Sequence, residues 1–179
     1  MSFVGNDSKG SPMLLAIDIG NSNTVFGVFD HGKLIRSWRL STQKDRTVDE
    51  YGVLLSNLFA LERLEAPRVK GVIVASVVPV LDWKIAEMIR RYFSLDAVFI
   101  TSENAGIPIR YDNPLEVGAD RLMDAVAVIE YYRVPAVVVD LGTATTFNAI
   151  TSAGEYMGGL IAPGIELSAS TVVERAAKL

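Results

Sequence analysis

The strongest constraint on how this chain folds is a short pattern that occurs twice. At Ala16-Ile17-Asp18-Ile19-Gly20-Asn21-Ser22-Asn23-Thr24 an apolar run beginning at Met13 meets an acidic residue and a tight polar turn, and a β-rich run from Val25 to Phe29 follows at once. The same order returns at Val137-Val138-Val139-Asp140-Leu141-Gly142-Thr143-Ala144-Thr145-Thr146, followed by Phe147 to Ile150. Each copy predicts a strand, an Asp-x-Gly turn and a second strand. Glycine permits a sharp turn and close approach of backbone to a ligand. Asn, Ser and Thr set short donors beside exposed backbone N–H groups, an arrangement that holds phosphate without a cage of side chains. Neither turn has the Gly-x-x-x-x-Gly-Lys-Ser/Thr pattern and neither runs straight into a helix, so a P-loop or a Rossmann turn does not fit.

Around this device the periodicity predicts an α/β protein. Thr24 to Asp30 and Lys33 to Leu40, split by Asp30-His31-Gly32, read as a hairpin, which makes the first three strands an antiparallel meander. His31, in that turn, is assigned no chemistry. Thr47-Val48-Asp49-Glu50 has the spacing of a capping box, and Tyr51, Leu54, Leu55, Leu58 and Leu61 follow at helical intervals, predicting a helix from about Val48 to Leu64. The continuous apolar run Gly71 to Val77 predicts a strand covered on both faces. Asp82 is expected to cap a helix reaching about Phe93, with Ala97 to Ile100 as the next strand.

Thr101 to Glu116, which contains Pro108 and Pro114, reads as a loop, with Ile107 to Tyr111 as a short edge strand. Gly118-Ala119-Asp120-Arg121 then opens a helix ending near Tyr132, with Asp120 in its first turn. After Pro135, strands at Ala136 to Asp140, to Ile150 and from about Glu155 to Ile161 repeat the opening meander, and Glu166 to Leu179 is helix-like.

Composition narrows the function classes. A net charge of -4, from 17 basic and 21 acidic residues, leaves no basic excess to attract nucleic acid or an anionic membrane. The absence of cysteine excludes disulfides and thiol catalysis and suits a reducing cytoplasm. Residues 1–12 are polar with Gly and Ser, so a flexible tail or tag is expected there rather than a signal peptide. No run approaches the roughly 20 apolar residues of a membrane helix.

Four segments, taken together, resemble one family. Asp18-Ile19-Gly20-Asn21-Ser22-Asn23-Thr24, Gly118-Ala119-Asp120-Arg121, Asp140-Leu141-Gly142-Thr143-Ala144-Thr145 and Gly158-Gly159-Leu160-Ile161-Ala162-Pro163-Gly164 are similar, in wording and order, to type III pantothenate kinases of the sugar kinase, Hsp70 and actin superfamily. The resemblance runs from Met13 to Leu179. It implies two related ribonuclease H-like α/β domains with a nucleotide cleft between them. The first, an actin-like ATPase domain, spans 13–133; the N-terminal part of the second spans 134–179, incomplete at its C-terminal end. The implied activity is ATP-dependent phosphorylation of the primary hydroxyl of pantothenate to 4'-phosphopantothenate, at the entry to coenzyme A synthesis, by a cytoplasmic homodimer.

The resemblance also implies roles for residues. Asp18, Ile19, Gly20, Asn21, Ser22, Asn23, Thr24 and Val25 hold the nucleotide phosphates, joined by Thr143 from the second turn. Asp18 stands near magnesium through water, and Asp140 is a ligand for a monovalent cation, potassium or ammonium. Asp120 is the catalytic base, Gly118, Ala119, Asp120, Arg121 and Tyr111 contact pantothenate, and Gly158, Gly159 and Gly164 lie under the adenosine. Without the resemblance the same residues keep plainer readings. Asp18 and Asp140 read as turn-stabilising aspartates, Asp120 as a helix cap, Arg121 as half of a surface salt bridge, Tyr111 as packing, and the glycines as a strand end before a helix. The fold also serves kinases of other small alcohols, non-catalytic accessory proteins of transcription and actin-like filament subunits. Retention of Asp120 and both Asp-x-Gly turns argues against the second, and Gly-Ala-Asp-Arg against the third.

Overall fold

Residues 11–175 are described by the structure, a computed structural model, with side chains through residue 171. Residues 1–10 of the expected tail and the last four of the expected terminal helix lie outside the described residues. Ser11 is bound in place: its hydroxyl donates to the Asp30 carboxylate, and Arg68 Nη2 donates to its carbonyl over 3.0 Å.

By contact the chain divides into two units, each described by itself. The first comprises residues up to Ile19, Asn23–Val74 and Val78–Phe99. Its strands are β1 (Met13–Ile19), β2 (Asn23–Asp30), β3 (Lys33–Ser41), β4 (Val69–Ser76) and β5 (Ala97–Phe99), in sheet order β3-β2-β1-β4-β5. β1, β2 and β3 form the expected antiparallel meander, with Ile17 opposite Phe26 and Phe26 opposite Trp38; β4 and β5 are parallel, with Ile73 opposite Val98. Alternation along β1 buries Met13, Leu15, Ile17 and Ile19 and leaves Asp18 exposed. β4 buries Val69, Val72 and Val74 fully but leaves Gly71, Ile73 and Ala75 half-covered and Lys70 exposed, so it is less enclosed than its apolar run predicts.

Two helices complete this unit, α1 (Val48–Leu61) and α2 (Pro79–Phe93). The α1 capping box is present: Thr47 Oγ1 accepts from Glu50 N–H over 3.2 Å, and Glu50 Oε2 accepts from Thr47 N–H over 2.6 Å. Tyr51, Leu55 and Phe59 make the buried stripe. The helix stops at Leu61 instead of Leu64, because Arg63 takes a left-handed φ of 56° and Leu64 N–H bonds back to the Phe59 carbonyl. α2 begins three residues before Asp82, which is therefore not its cap. Pro79 opens it, preset in φ and lacking the N–H that a first helical residue leaves unpaired. Gly52 explains how closely the helices pack: a Cβ there would come within 2.1 Å of the Tyr92 ring. Phe59 anchors the apolar layer between Trp38 and Phe93, with ring centroids 5.5 and 5.4 Å away.

The second unit comprises Gly20–Ser22, Ala75–Val77 and the chain from Ile100, so in contact terms it starts earlier than residue 134 and includes the helix after Gly118. That helix, α3 (Ala119–Tyr131), precedes an antiparallel sheet of β6 (Ala136–Leu141), β7 (Ala144–Ile150) and β8 (Tyr156–Pro163), and α4 (Ile165–Arg175) follows. Leu122 and Ala125 of α3 pack with Ile150, Tyr156 and Ala105, with Val138, Met123 and Ile129 around them. The expected edge strand at 107–111 is one parallel bridge, Ile109 to Tyr156. Arg110 N–H donates to the Tyr156 carbonyl over 2.7 Å, and Tyr156 N–H to the Pro108 carbonyl over 2.9 Å. The opposite sheet face, carrying Val137, Val139, Leu141 and Leu160, is exposed.

Candidate functional site

The first Asp-x-Gly turn is built by strand alternation. Asp18 lies opposite Val25 and Ile19 opposite Thr24, and Gly20-Asn21-Ser22 lie between the two strands. Ile19 and Thr24 are buried, and Thr24 Oγ1 is bonded to Thr42 Oγ1 at 2.9 Å. These two offer a ligand only backbone. Asp18, Asn21 and Ser22 are exposed, and Asn23 and Val25 half-buried.

The second turn is tighter, Gly142-Thr143 between Leu141 and Ala144, with Asp140 opposite Thr146. Asp140 and Thr143 are exposed. Gly142 N–H donates to the Ala144 carbonyl over 3.0 Å, and Gly164 N–H donates to the Thr143 carbonyl over 3.1 Å. Gly164 is thus a seat for the turn itself: a Cβ there would lie 2.3 Å from the Gly142 oxygen and 2.4 Å from that of Thr143. Within the second unit Ser22 Oγ and Thr143 Oγ1 are 2.7 Å apart, and either can donate. Two hydroxyls from the predicted phosphate turns therefore sit side by side.

At the start of α3, Gly118 is the N-cap and makes no side-chain cap bond. Asp120 is half-buried; its Oδ1 accepts from the Arg121 N–H over 2.7 Å and folds back over Gly118, where a Cβ would come within 2.6 Å of that oxygen. Glycine at 118 is needed for the carboxylate to lie there. Arg121 points to β7: Nε donates to Asn148 Oδ1 over 2.6 Å and Nη2 to the Phe147 carbonyl over 3.2 Å. Its guanidinium stands 5.9 Å over the Tyr156 ring. Burial pushes the Tyr156 phenol above its ordinary range, with the nearby Arg121 charge opposing that shift. Asn148, fully buried, also donates to Asp124 Oδ2 over 3.2 Å and accepts from Tyr156 OH over 3.3 Å. Asp124, Asn148 and Tyr156 were not among the expected site residues; the available signal is an asparagine in mid-strand, which has no place in a strand core without partners.

Tyr111 is part-exposed, and its ring lies on Gly158, where a Cβ would come within 2.8 Å of Cδ2. Gly158 has φ +100°, at a register shift between β7 and β8, so its missing side chain serves both the backbone and the ring. Gly159 abuts the Phe147 carbonyl and Arg121 Nη2. A surface groove of about 480 Å³ lies elsewhere, over the first turns of α1, lined by Arg46, Thr47, Asp49, Glu50, Val53, Leu54 and Asn57; it contains none of the expected residues.

The exposed carboxylates of the two turns offer oxygen to hard cations. Among the described residues no cluster of three or more His, Cys, Asp or Glu side chains forms a protein cage for a metal. Magnesium takes one or two carboxylates and keeps much of its water and phosphate coordination, and the exposed Asp18 fits that role. Asp140, exposed beside the Gly142 turn, is an oxygen donor of the kind a potassium-sized ion accepts.

Paired Asp-x-Gly hairpins on mixed α/β units define a protein of the actin/Hsp70-like fold. Solved structures with this architecture include the ethanolamine utilization protein EutJ from Carboxydothermus hydrogenoformans (TM-score 0.53, 16% identity, 93% of this chain and 58% of that one). A Ppx/GppA phosphatase from Aquifex aeolicus is similar (TM-score 0.52, 18% identity, 89% and 55%). At these identities the likeness speaks for the fold alone. The family model for type III pantothenate kinase matches residues 14–179, and the chain belongs to that family. Type III pantothenate kinases of Koribacter versatilis and Anaeromyxobacter sp. (strain K) are 46% and 51% identical over 178 and 168 residues, each covering 93% of this chain. The chain spans 65% and 66% of the length of those relatives. Among the described residues no helix is long and apolar enough to cross a membrane.

Proposed function

We propose that this chain carries the phosphate-holding and base-bearing part of an ATP-dependent pantothenate kinase. The product is 4'-phosphopantothenate, made in the cytoplasm by a homodimer that uses magnesium with ATP and a potassium or ammonium ion. The observation that supports this reading best is that a chain of this family keeps Asp18 and Asp140 at exposed strand ends and Asp120 half-buried over Gly118.

In this reading Gly20, Asn21, Ser22, Asn23 and the backbone of Ile19, Thr24 and Val25 take the β and γ phosphates, with Thr143 alongside. Ser22 and Thr143 exchange their mutual hydrogen bond for bonds to phosphate oxygens. Asp18 would hold magnesium through water beside the nucleotide, where the ion would neutralise charge building on the transferred phosphoryl group. Asp140 would hold the monovalent cation, and the strand end from Gly158 to Gly164 would lie under the adenosine, its glycines making room for Tyr111, the Phe147 carbonyl and the Gly142-Thr143 turn. Tyr111, Gly118, Ala119 and Arg121 hold pantothenate, Arg121 by the part of its guanidinium not spent on β7. As the hydroxyl oxygen forms its bond to the γ-phosphorus, the bond from that phosphorus to the β,γ-bridging oxygen breaks. The hydroxyl proton passes to Asp120, and ADP leaves. Asp120 stands in the first turn of α3, and a positioned carboxylate can accept a hydroxyl proton as transfer proceeds.

The test is turnover of pantothenate by the whole protein with ATP and magnesium, with and without potassium, beside D120N. The parent should form 4'-phosphopantothenate, and D120N should lower kcat by about 10²–10⁴-fold, the range of a general base. A parent that phosphorylates another alcohol instead removes the substrate assignment; D120N turning over like the parent removes the base.

A further inference from the structure

The bonding around Asn148 leads beyond the motif residues. The side chain is 0% exposed in the middle of β7, and every polar atom on it is engaged. Oδ1 accepts from Arg121 Nε at 2.6 Å and from Tyr156 OH at 3.3 Å, while Nδ2 donates to Asp124 Oδ2 at 3.2 Å. Only an amide does this: its oxygen faces two donors while its nitrogen faces a carboxylate. A carboxylate in its place would oppose Asp124, and an aliphatic residue would leave Arg121 Nε without an acceptor. Arg121 is held a second time by the Phe147 carbonyl through Nη2, and its Nη1 has no hydrogen-bond partner among the described residues.

We infer that Asn148 is a positioning residue for recognition of the acceptor substrate. It clamps the Nε edge of Arg121 to β7, which leaves Nη1 directed at an oxygen of the bound alcohol. An arginine side chain swings through several rotamers unless one edge is fixed, and a planar fork discriminates an oxygen acceptor only from a fixed orientation. Asp124 acts one step further out by fixing which way the amide faces. The inference rests on the reading of Arg121 as a pantothenate contact.

The experiment is steady-state kinetics of the whole protein with three variants, N148A, N148D and D124N/N148D, with thermal midpoints as a check of folding. N148A should raise KM for pantothenate tenfold or more, with kcat within about threefold of the parent and KM for ATP unchanged. N148D should show the same rise at pH 8 and recover as the pH is lowered and the two facing carboxyls share a proton. D124N/N148D, which restores one donor and one acceptor in reversed order, should bring KM for pantothenate back to within about threefold of the parent. Unchanged KM in N148A overturns the inference. So does a loss falling equally on kcat and both KM values, or a double variant no better than N148D. An active parent with unmoved variants sinks this inference alone, whereas a parent with no pantothenate kinase activity sinks the proposed function and this inference with it.

Discussion

The two units use the same hairpin to different ends. In the first, the threonine that closes the turn is buried and its hydroxyl consumed, Thr24 bonding Thr42, while at the start of α1 the exposed Thr47 and Glu50 satisfy one another. In the second, α3 begins at Gly118 with no side-chain cap, Asp120 lies half-open above that glycine, and one sheet face shows Val137, Val139 and Leu141 to solvent. The difference teaches that a local motif sets the turn, whereas the elements packed around it decide whether its polar atoms are structural or available.

The largest test of that contrast is a pair of truncations. Leu15→Ala, at a fully buried position of β1, should cost about 2–5 kcal/mol by urea unfolding, and Val139→Ala in β6, 48% exposed, less than about 1. Equal losses would mean the second sheet's outer face is as covered in solution as the first sheet's core. A finer test compares glycines of the second unit. Gly164→Ala should cost about 1–3 kcal/mol by overpacking against the Gly142-Thr143 backbone, and Gly142→Ala, whose nearest neighbour would be 3.5 Å away, should be close to neutral. If Gly164→Ala is silent, the turn does not rest on that residue.

The smallest effect concerns the caps. Thr47→Ala should cost about 1 kcal/mol. The Glu50 carboxyl is held below its ordinary value of 4.5, first by the Thr47 backbone N–H and then by its hydroxyl. A depressed carboxyl stabilises the fold above that ordinary value, and its contribution is lost as pH falls through the lower folded value. The stability gap between parent and E50Q should therefore be full at pH 7 and close on acidification. A gap that widens in acid would contradict the capping box.

Much of this architecture is written locally. The strands are visible because Met13 to Ile19 and Ala136 to Leu141 combine apolar residues with a glycine turn, and α1 starts where Thr47 and Glu50 say it should. The errors arise where the decisive group is backbone. Arg63 in a left-handed conformation ends α1 early, and Pro79 starts α2 without any side-chain cap, which made Asp82 a false start signal. The site is legible in a different proportion. Asp18, Asp120 and Asp140 stand out by type and context, but Asn148 does not. Its partners Arg121 and Asp124 are 27 and 24 positions away, and among the threonines of β7 it reads as one more solvent-facing polar residue.

The stitching of residues 108–110 to β8 bears on the ordering cost of binding at Tyr111, the substrate contact proposed above. The Arg110 N–H donates to the Tyr156 carbonyl and the Tyr156 N–H to the Pro108 carbonyl, and with Arg110 Nη2 on Glu155 at 2.7 Å these bonds order the stretch beside that ring. Freezing each backbone residue costs about 1–2 kcal/mol in lost freedom, and here that loss is met during folding. Under the proposed reading of Tyr111 as a substrate contact, little further ordering of this stretch is then required when the substrate binds.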